Sequence, residues 1–341
     1  MFWVKPEHPV CILVKEKNIT VALDGTGGDK NRQGGIVKAV EFALTLYPAL
    51  NLVVFGSMEL KEKLEHGRFD RRRITFHQAS QCIPQDEKAR NVLEGYQHSA
   101  MRLAVEAVKN GEADACVSAG GTGPLVALSR HILGTIGSMR PALCARLPAG
   151  GFKRYALMLD MGANATSSAQ DLHDFALLGT AAAKVLLNNE EPRTAILNIG
   201  TEQGKGNALV QETRYLIEKD QKLLSEGFLE ANRLFCGDAD IIVTDGFTGN
   251  VALKAAEGVA SIFAHGPFFK RLLAKMSWPE WLIPWQYNGS LLLGVNGVVV
   301  KSHANAPEQA LAVAMVEAAK AVSSGLYDSL RNDPILKNKA L

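Results

Sequence analysis

Short apolar runs recur along the chain, each closed by a turn of glycine and polar residues and followed by a stretch with apolar positions every three or four residues. Ile19 to Leu23 runs into Asp24-Gly25-Thr26-Gly27-Gly28-Asp29, and a helical stretch follows over Ile36 to Leu46. Leu52 to Phe55 stops at Gly56. Met101, Ala104, Val105 and Val108 stand at i, i+3, i+4 and i+7. That spacing predicts a helix from about Ser99 to Asn110-Gly111, feeding a strand over Ala113 to Val117 and the turn Ser118-Ala119-Gly120-Gly121-Thr122-Gly123. Ala156 to Leu159 leads into Asp160 to Asn164, Thr194 to Leu197 into Asn198-Ile199-Gly200, and Ile241 to Thr244 into Asp245 to Asn250. Strands that are apolar throughout are buried on both faces, so their alternation with helices predicts an α/β fold: three layers, α/β/α, with a largely parallel sheet. Ligands in such sheets bind where strands end, which puts six glycine-bearing polar turns on one edge. Residues 1–18 read as an extension and 19–341 as the catalytic unit. One division of that unit sets 19–165 plus 288–341 against 166–287, crossing in a helix from about Asp171 to Leu187.

Composition narrows the classes. The 341 residues carry 37 Lys+Arg against 35 Asp+Glu, a net charge of +2, which argues against a polybasic nucleic-acid binder. The five cysteines, Cys11, Cys82, Cys116, Cys144 and Cys236, are odd in number and never in C-x-x-C spacing, so neither a disulfide framework nor a zinc site is expected and a reducing cytoplasm is the simplest home. No run reaches the roughly 18 apolar residues of a membrane span. Glycine is in mild excess, 31 residues, and nearly half of these sit in the strand-end turns.

Familiar nucleotide and metal signatures are absent, and no metal or cofactor is expected. Cys116-Val117-Ser118-Ala119-Gly120 imitates a nucleophile elbow but has Cys where the first glycine belongs, so Ser118 reads better as a strand-end loop residue. Asp245-Gly246-Phe247-Thr248-Gly249-Asn250-Val251-Ala252-Leu253-Lys254 is a strand exit passing into a helix, where backbone N–H groups and the Thr248 hydroxyl suit an oxyanion. Asn250 and Lys254 share a helix face. Taken alone, the segment reads more simply as a turn with a solvated lysine. Asn198-Ile199-Gly200-Thr201-Glu202-Gln203-Gly204-Lys205-Gly206-Asn207 sets three glycines around one lysine, equally an anion cradle or a hairpin tip.

These segments, with Asp24 to Asp29, Ser118 to Pro124, Arg140-Pro141-Ala142, Asp160 to Asn164 and Leu293-Gly294-Val295-Asn296-Gly297 followed by His303, jointly resemble the PlsX family of phosphate acyltransferases, in the right order from about Ile19 to Ser323. The resemblance implies a fold like that of phosphate acetyltransferases and of isocitrate and isopropylmalate dehydrogenases. It also implies a reaction between acyl-[acyl-carrier protein] and inorganic phosphate that yields acyl phosphate and free carrier protein for phosphatidic acid synthesis. A homodimer, peripheral membrane association in the cytoplasm and a downstream membrane glycerol-3-phosphate acyltransferase are implied as partners; nucleic acid is not. Departures stand at Gly25-Thr26 in place of Ala-Met, Gly121 in place of Asn, Thr201-Glu202 in place of two acids, and Ala304 in place of Gly. The missing Asn removes a hydrogen-bonding side chain from a site loop and bears on activity or substrate preference.

The chemistry asks for little. Phosphate is already an anionic nucleophile, and a thiol of pKa about 8.5 is a fair leaving group, so the site has to place the reactants, stabilise an oxyanion and protonate sulfur. With the resemblance, the expected catalytic residues are Lys205, Lys254, His303, Asn198 and Asn250. Lys205 and Lys254 hold phosphate, Asn198 and Asn164 orient it or the thioester carbonyl, and His303 is the proton donor or else a packed loop histidine. The expected binding residues are Asp24, Gly27, Gly28, Asp29, Ser118, Gly121, Thr122, Asn164, Gly206, Asn207, Asp245, Gly246, Phe247, Thr248, Gly249 and Asn296.

A second feature lies in 261–287. Phe268, Phe269, Leu272, Leu273 and Met276 form one helical face, Lys270, Arg271 and Lys275 lie on the other side, and Trp278, Trp281 and Trp285 follow. Periodicity leaves a membrane anchor even with the plainer reading, a dimer interface or a helix packed on its own domain; the resemblance favours the membrane. An acidic carrier protein implies a basic dock at Arg71-Arg72-Arg73 or the Lys270 cluster. The alternatives are a phosphate acetyl- or butyryltransferase using acyl-coenzyme A, a metal- and NAD-dependent decarboxylating dehydrogenase, and a non-catalytic homologue that binds carrier protein.

Overall fold

A computed structural model describes residues 18–28, 33–150, 154–265 and 287–337. Its strands are β1 (Ile19–Asp24), β2 (Leu50–Gly56), β3 (Ile74–Gln78), β4 (Ala115–Ser118), β5 (Ala142–Ala149), β6 (Arg154–Leu159), β7 (Arg193–Asn198), β8 (Leu224–Glu230), β9 (Ile241–Val243), β10 (Ser290–Leu293) and β11 (Val298–Lys301). They form one 11-stranded sheet in the order β3-β2-β1-β4-β11-β10-β5-β6-β9-β7-β8.

The pairings from β3 to β11 are parallel, and so are those from β6 to β8. Between these halves, β11–β10, β10–β5 and β5–β6 are antiparallel. Three successive reversals leave the halves running in opposite directions. The six glycine turns therefore do not leave in one direction: those after β1 and β4 point one way along the strands and those after β6, β7 and β9 the other, while the register sets Leu23 and Leu159 in one cross-strand row, so the turns after β1 and β6 start near the same level. The one-edge expectation failed because the antiparallel middle strands follow no helical crossover that a linear pattern could reveal.

Helices cover both faces, as expected. Along β1 the side chains of Val21 and Leu23 enter one buried cluster and that of Ala22 the other, the two-residue period of a strand buried on both sides. The first cluster is closed by α1 (Gln33–Leu46), α2 (Met58–Glu65), α6 (Ala169–Leu186), α7 (Ala208–Lys219), α9 (Glu308–Ser323), α10 (Leu326–Asn332) and α11 (Pro334–Lys337). The second is closed by α3 (Ala89–Glu94), α4 (Ala100–Lys109), α5 (Thr122–Leu133) and α8 (Gly246–His265). Ser99 caps α4, and Ser168 with Asp171 forms a capping box on α6, so two helix starts lie within a few residues of the positions the pattern predicts.

Arg73 does not belong to a basic dock. Its guanidinium donates to the carbonyls of Leu44, Tyr47 and Leu50 at 2.7–3.0 Å, closing the end of α1, while Arg72 pairs with Asp70 at 2.8 Å. Among the described residues no single helix is long and apolar enough to cross a membrane. Phe268, Phe269, Lys270, Arg271, Leu272, Lys275, Trp278, Trp281 and Trp285 lie outside the described residues, as does Asp29.

Candidate active site

Two buried aspartates organise the strand-end loops, one in each half of the sheet. At the end of β1, Asp24 Oδ1 accepts from the Thr26 N–H and hydroxyl and the Gly27 N–H, at 2.9–3.1 Å, and its Oδ2 accepts from the Ser118 hydroxyl at 2.6 Å. The same Ser118 oxygen accepts from the Gly120 N–H at 3.0 Å. This ties the turns after β1 and β4 together, and Gly27 is required at the seam: a Cβ there would stand 2.6 Å from the Gly120 nitrogen. Ser118 is thus a loop anchor. Its hydroxyl donates to the Asp24 carboxylate and its oxygen accepts from the Gly120 N–H, so it is used to join the two turns.

At the end of β6, Asp160 Oδ1 accepts from the N–H groups of Leu143, Gly162 and Ala163, and Oδ2 from the N–H and amide of Asn164, all at 2.8–3.1 Å. Burial raises the Asp160 pKa, and the hydrogen bonds from Ala163, Leu143 and both donors of Asn164 act against that shift. The Asn164 amide also donates to the Pro141 carbonyl at 2.8 Å. Helix α8 starts directly against this loop. A Cβ on Gly246 would collide with the Asn164 carbonyl and one on Gly249 with the Asp160 carbonyl, so both glycines permit the close approach.

The third loop, after β7, is built on Asn198, whose amide donates to the Gly200 and Lys205 carbonyls at 3.0 and 3.1 Å. Gly206 turns at a φ of 98°, and Asn207 caps α7 by accepting from the Val210 N–H at 3.0 Å. Lys205 is left exposed at the tip.

Several expected substrate contacts are engaged inside the protein instead. The Thr248 N–H and hydroxyl donate to Asp245 at 2.9 and 2.7 Å, so the start of α8 is capped by a carboxylate and its hydroxyl is not turned outward for an anion. The Asn250 amide donates to the Met161 carbonyl at 3.0 Å. The Asn296 amide donates to the carbonyls of Leu133 and Thr135 at 3.3 and 3.0 Å, finishing α5. Phe247 is 70% exposed. By contrast, α5 begins at Thr122 after Gly121 with no side-chain cap, which leaves first-turn N–H groups beside the Asp24 loop. Gly121 itself has no room for any side chain, because the Gln85 carbonyl occupies the Cβ position; the Gln85 amide donates to the Ala119 carbonyl at 3.3 Å. The chain before α3 thus fills the space next to Gly121, a long-range contact that no local pattern reveals.

Helix α8 joins the two aspartate loops. Asn250, Lys254 and Glu257 lie on one face of it. Asn250 touches the Asp160 loop, the charge of Lys254 acts on Lys301 at the end of β11, and Glu257 Oε1 pairs with His303 Nε2 at 3.2 Å. The charge of Asp24 also acts on Lys301, with the opposite sign. The structure therefore gathers Asp24, Gly27, Ser118, the start of α5, Lys254, Lys301 and His303, while Lys205 belongs to the β7 loop. Asn288, also missed from sequence, holds the His303 segment: it accepts from the His303 N–H at 3.1 Å and donates to the Ser302 hydroxyl and the Ala310 carbonyl at 2.8 and 2.7 Å. Among the described residues no group of three His, Cys, Asp or Glu could hold a metal ion. The buried thiols of Cys116 and Cys144 are pushed up in pKa by desolvation, Cys144 to about 12, which leaves them inert.

Comparison with known proteins agrees with this frame. The sequence pattern of the family described as "Fatty acid synthesis protein" matches residues 19–328. A phosphate acyltransferase of Shewanella sediminis is 37% identical over 335 residues, covering 92% of this chain and 97% of that protein. One of Aeromonas salmonicida is 41% identical over 320 residues, covering 88% and 92%. The structure of a phosphotransacetylase from Streptococcus pyogenes superposes with a TM-score of 0.62 at 18% identity, covering 90% of this chain and 94% of that one, a likeness of fold alone. The buried aspartate loops, the cationic cluster beside them and these matches lead to one family: the chain belongs to the fatty acid synthesis proteins of PlsX type, whose relatives are phosphate acyltransferases.

Proposed function

We propose that the protein transfers an acyl group from the thioester of acyl-carrier protein to inorganic phosphate, releasing acyl phosphate and free carrier protein. The observation that carries this reading is the cluster that brings Lys301, in register with Ser118, and the uncapped start of α5 to the Asp24–Ser118 loop pair, with the Lys254 charge acting on Lys301. Such a cluster offers the Lys254 cation and backbone donors to phosphate without an enzyme nucleophile, which direct attack of phosphate on a thioester does not need. In this reading Lys254, the Gly27-Gly28 turn and Thr122 hold phosphate, and Lys205 meets the carrier or its phosphopantetheine from the β7 loop. Asp160, Asn164, Asn198 and Asn250 act by holding loops. His303 sits at the rim, half exposed and paired with Glu257. The product supplies phosphatidic acid synthesis, and 261–287 contacts the membrane or a second copy of the chain.

The deciding experiment is turnover by purified protein with acyl-carrier-protein thioester and phosphate, with acyl phosphate trapped by hydroxylamine. Acyl phosphate formation from the carrier thioester in preference to acyl-coenzyme A is the expected result. Preference for acyl-coenzyme A would make it a phosphate acetyl- or butyryltransferase, and binding of carrier protein without product would make it a non-catalytic homologue. Lys205→Ala is expected to raise the KM for carrier protein by about tenfold, equivalent to about 1.4 kcal/mol. An unchanged KM removes Lys205 from the site.

A further inference from the structure

A lysine outside the expected set completes the first cluster. β11 ends at Lys301, in register with Ser118 on β4 and Ser290 on β10. Its ammonium donates to the Ser302 carbonyl, the one hydrogen bond it makes among the described residues, and an ammonium has two further N–H bonds to offer. The charges that act on it come from two elements: Asp24 at the end of β1 attracts it and Lys254 on α8 repels it. His303, two residues on, and Glu257 on α8 are paired with each other. Burial outweighs the attraction of Asp24, and the Lys301 pKa is pushed down to about 8. A donor in that range matches a thiol leaving group of pKa about 8.5, the condition under which general-acid catalysis is efficient.

We propose that Lys301 is the proton donor to the departing carrier thiolate, an inference that rests on the acyltransferase reading above. A phosphate oxygen adds to the thioester carbonyl carbon, and the adduct expels sulfur with the electron pair of the C–S bond. The Lys301 ammonium gives its proton to that sulfur. The neutral amine then takes up the proton lost by hydrogen phosphate as it becomes the acyl phosphate dianion. Thioester plus hydrogen phosphate thus yields thiol plus acyl phosphate, with no other reactant. His303 is less suited to the task, since its imidazole faces the Glu257 carboxylate at the exposed rim.

The test compares wild type, Lys301→Arg and Lys301→Met with acyl-carrier-protein thioester and phosphate. Arginine keeps the charge but does not release a proton in this pH range. Both variants are expected to lose about 10²-fold or more in kcat with the KM for phosphate changed less than about threefold. Wild-type kcat/KM is expected to fall with rising pH through about 8 as the donor is lost, a readout that stands even if a variant misfolds. A Lys301→Arg enzyme within about threefold of wild-type kcat, a loss confined to the phosphate KM, or a wild-type profile flat between pH 7 and about 9.5 overturns the assignment. Wild type that forms no acyl phosphate at all overturns the acyltransferase reading itself, so the two failures are told apart.

Discussion

At the scale of single residues, Asp160 and Lys301 carry opposite loads. Asp160 is buried but meets five N–H donors. Asp160→Asn turns one acceptor into a donor facing donors and is expected to cost about 2–3 kcal/mol in urea unfolding; a change below about 0.5 kcal/mol would mean that the loop relaxes freely. Lys301 is half-buried with less compensation, one carbonyl and the charge of Asp24, and its folded-state pKa of about 8 lies below its ordinary 10.5. Between those values the unfolded chain binds more protons, so this lysine makes stability rise with pH there. Lys301→Met is therefore expected to melt above wild type at pH 7, with the gap closing as the pH is raised through 8 toward 10. A gap that widens with pH would show that Asp24 outweighs burial. These residues also mark the limit of what was legible in the sequence. Asp24, Ser118 and Lys254 stand in turns that announce themselves by glycine, whereas Lys301 ends an apolar strand with no turn signal, and Asn288 and Gln85 enter only through contacts distant in sequence.

At the scale of elements, strands and helices that bury whole faces were readable because their periods are set by the backbone. β1, β4, β6, β7 and β9 begin and end within a few residues of the apolar runs that predict them. The antiparallel β10 and β5 were not, since pairing direction leaves no trace in a short apolar run. Helix α8 supplies a controlled contrast. Gly246→Ala drives a Cβ into the Asn164 carbonyl, whereas Gly258, in the same helix, has nothing within 4 Å of its Cβ position. Gly246→Ala is expected to lower both stability and turnover, and Gly258→Ala to raise stability by about 0.5–1 kcal/mol. If both are neutral in thermal melts, the seating of α8 on the Asp160 loop is looser than the contact implies.

At the scale of the whole molecule, α8 shows two characters. One face reaches across the sheet through Asn250, Lys254 and Glu257; on the rest of its surface Phe247, Val251 and Val259 are exposed by 52–70%. The chain then continues into the segment holding Lys270, Arg271 and Lys275. Reversing those three charges is expected to reduce sedimentation with vesicles of anionic lipid without changing turnover of a soluble carrier thioester. Unchanged sedimentation would assign the segment to contacts between copies of the chain.

The opposed halves of the sheet give α8 one more property, that of a ruler whose rotational phase matters. One residue inserted between Val251 and Ala252 turns the rest of the helix by about 100° and advances it by about 1.5 Å. Asn250 would stay on the Asp160 loop while Lys254 and Glu257 swung away from Lys301 and His303. The same insertion after Gly258 leaves all three in phase. Turnover lost in the first variant and kept in the second would mean that the two aspartate loops, which leave strands of opposite direction near one cross-strand row, work as one site only because a single helix keeps them in step.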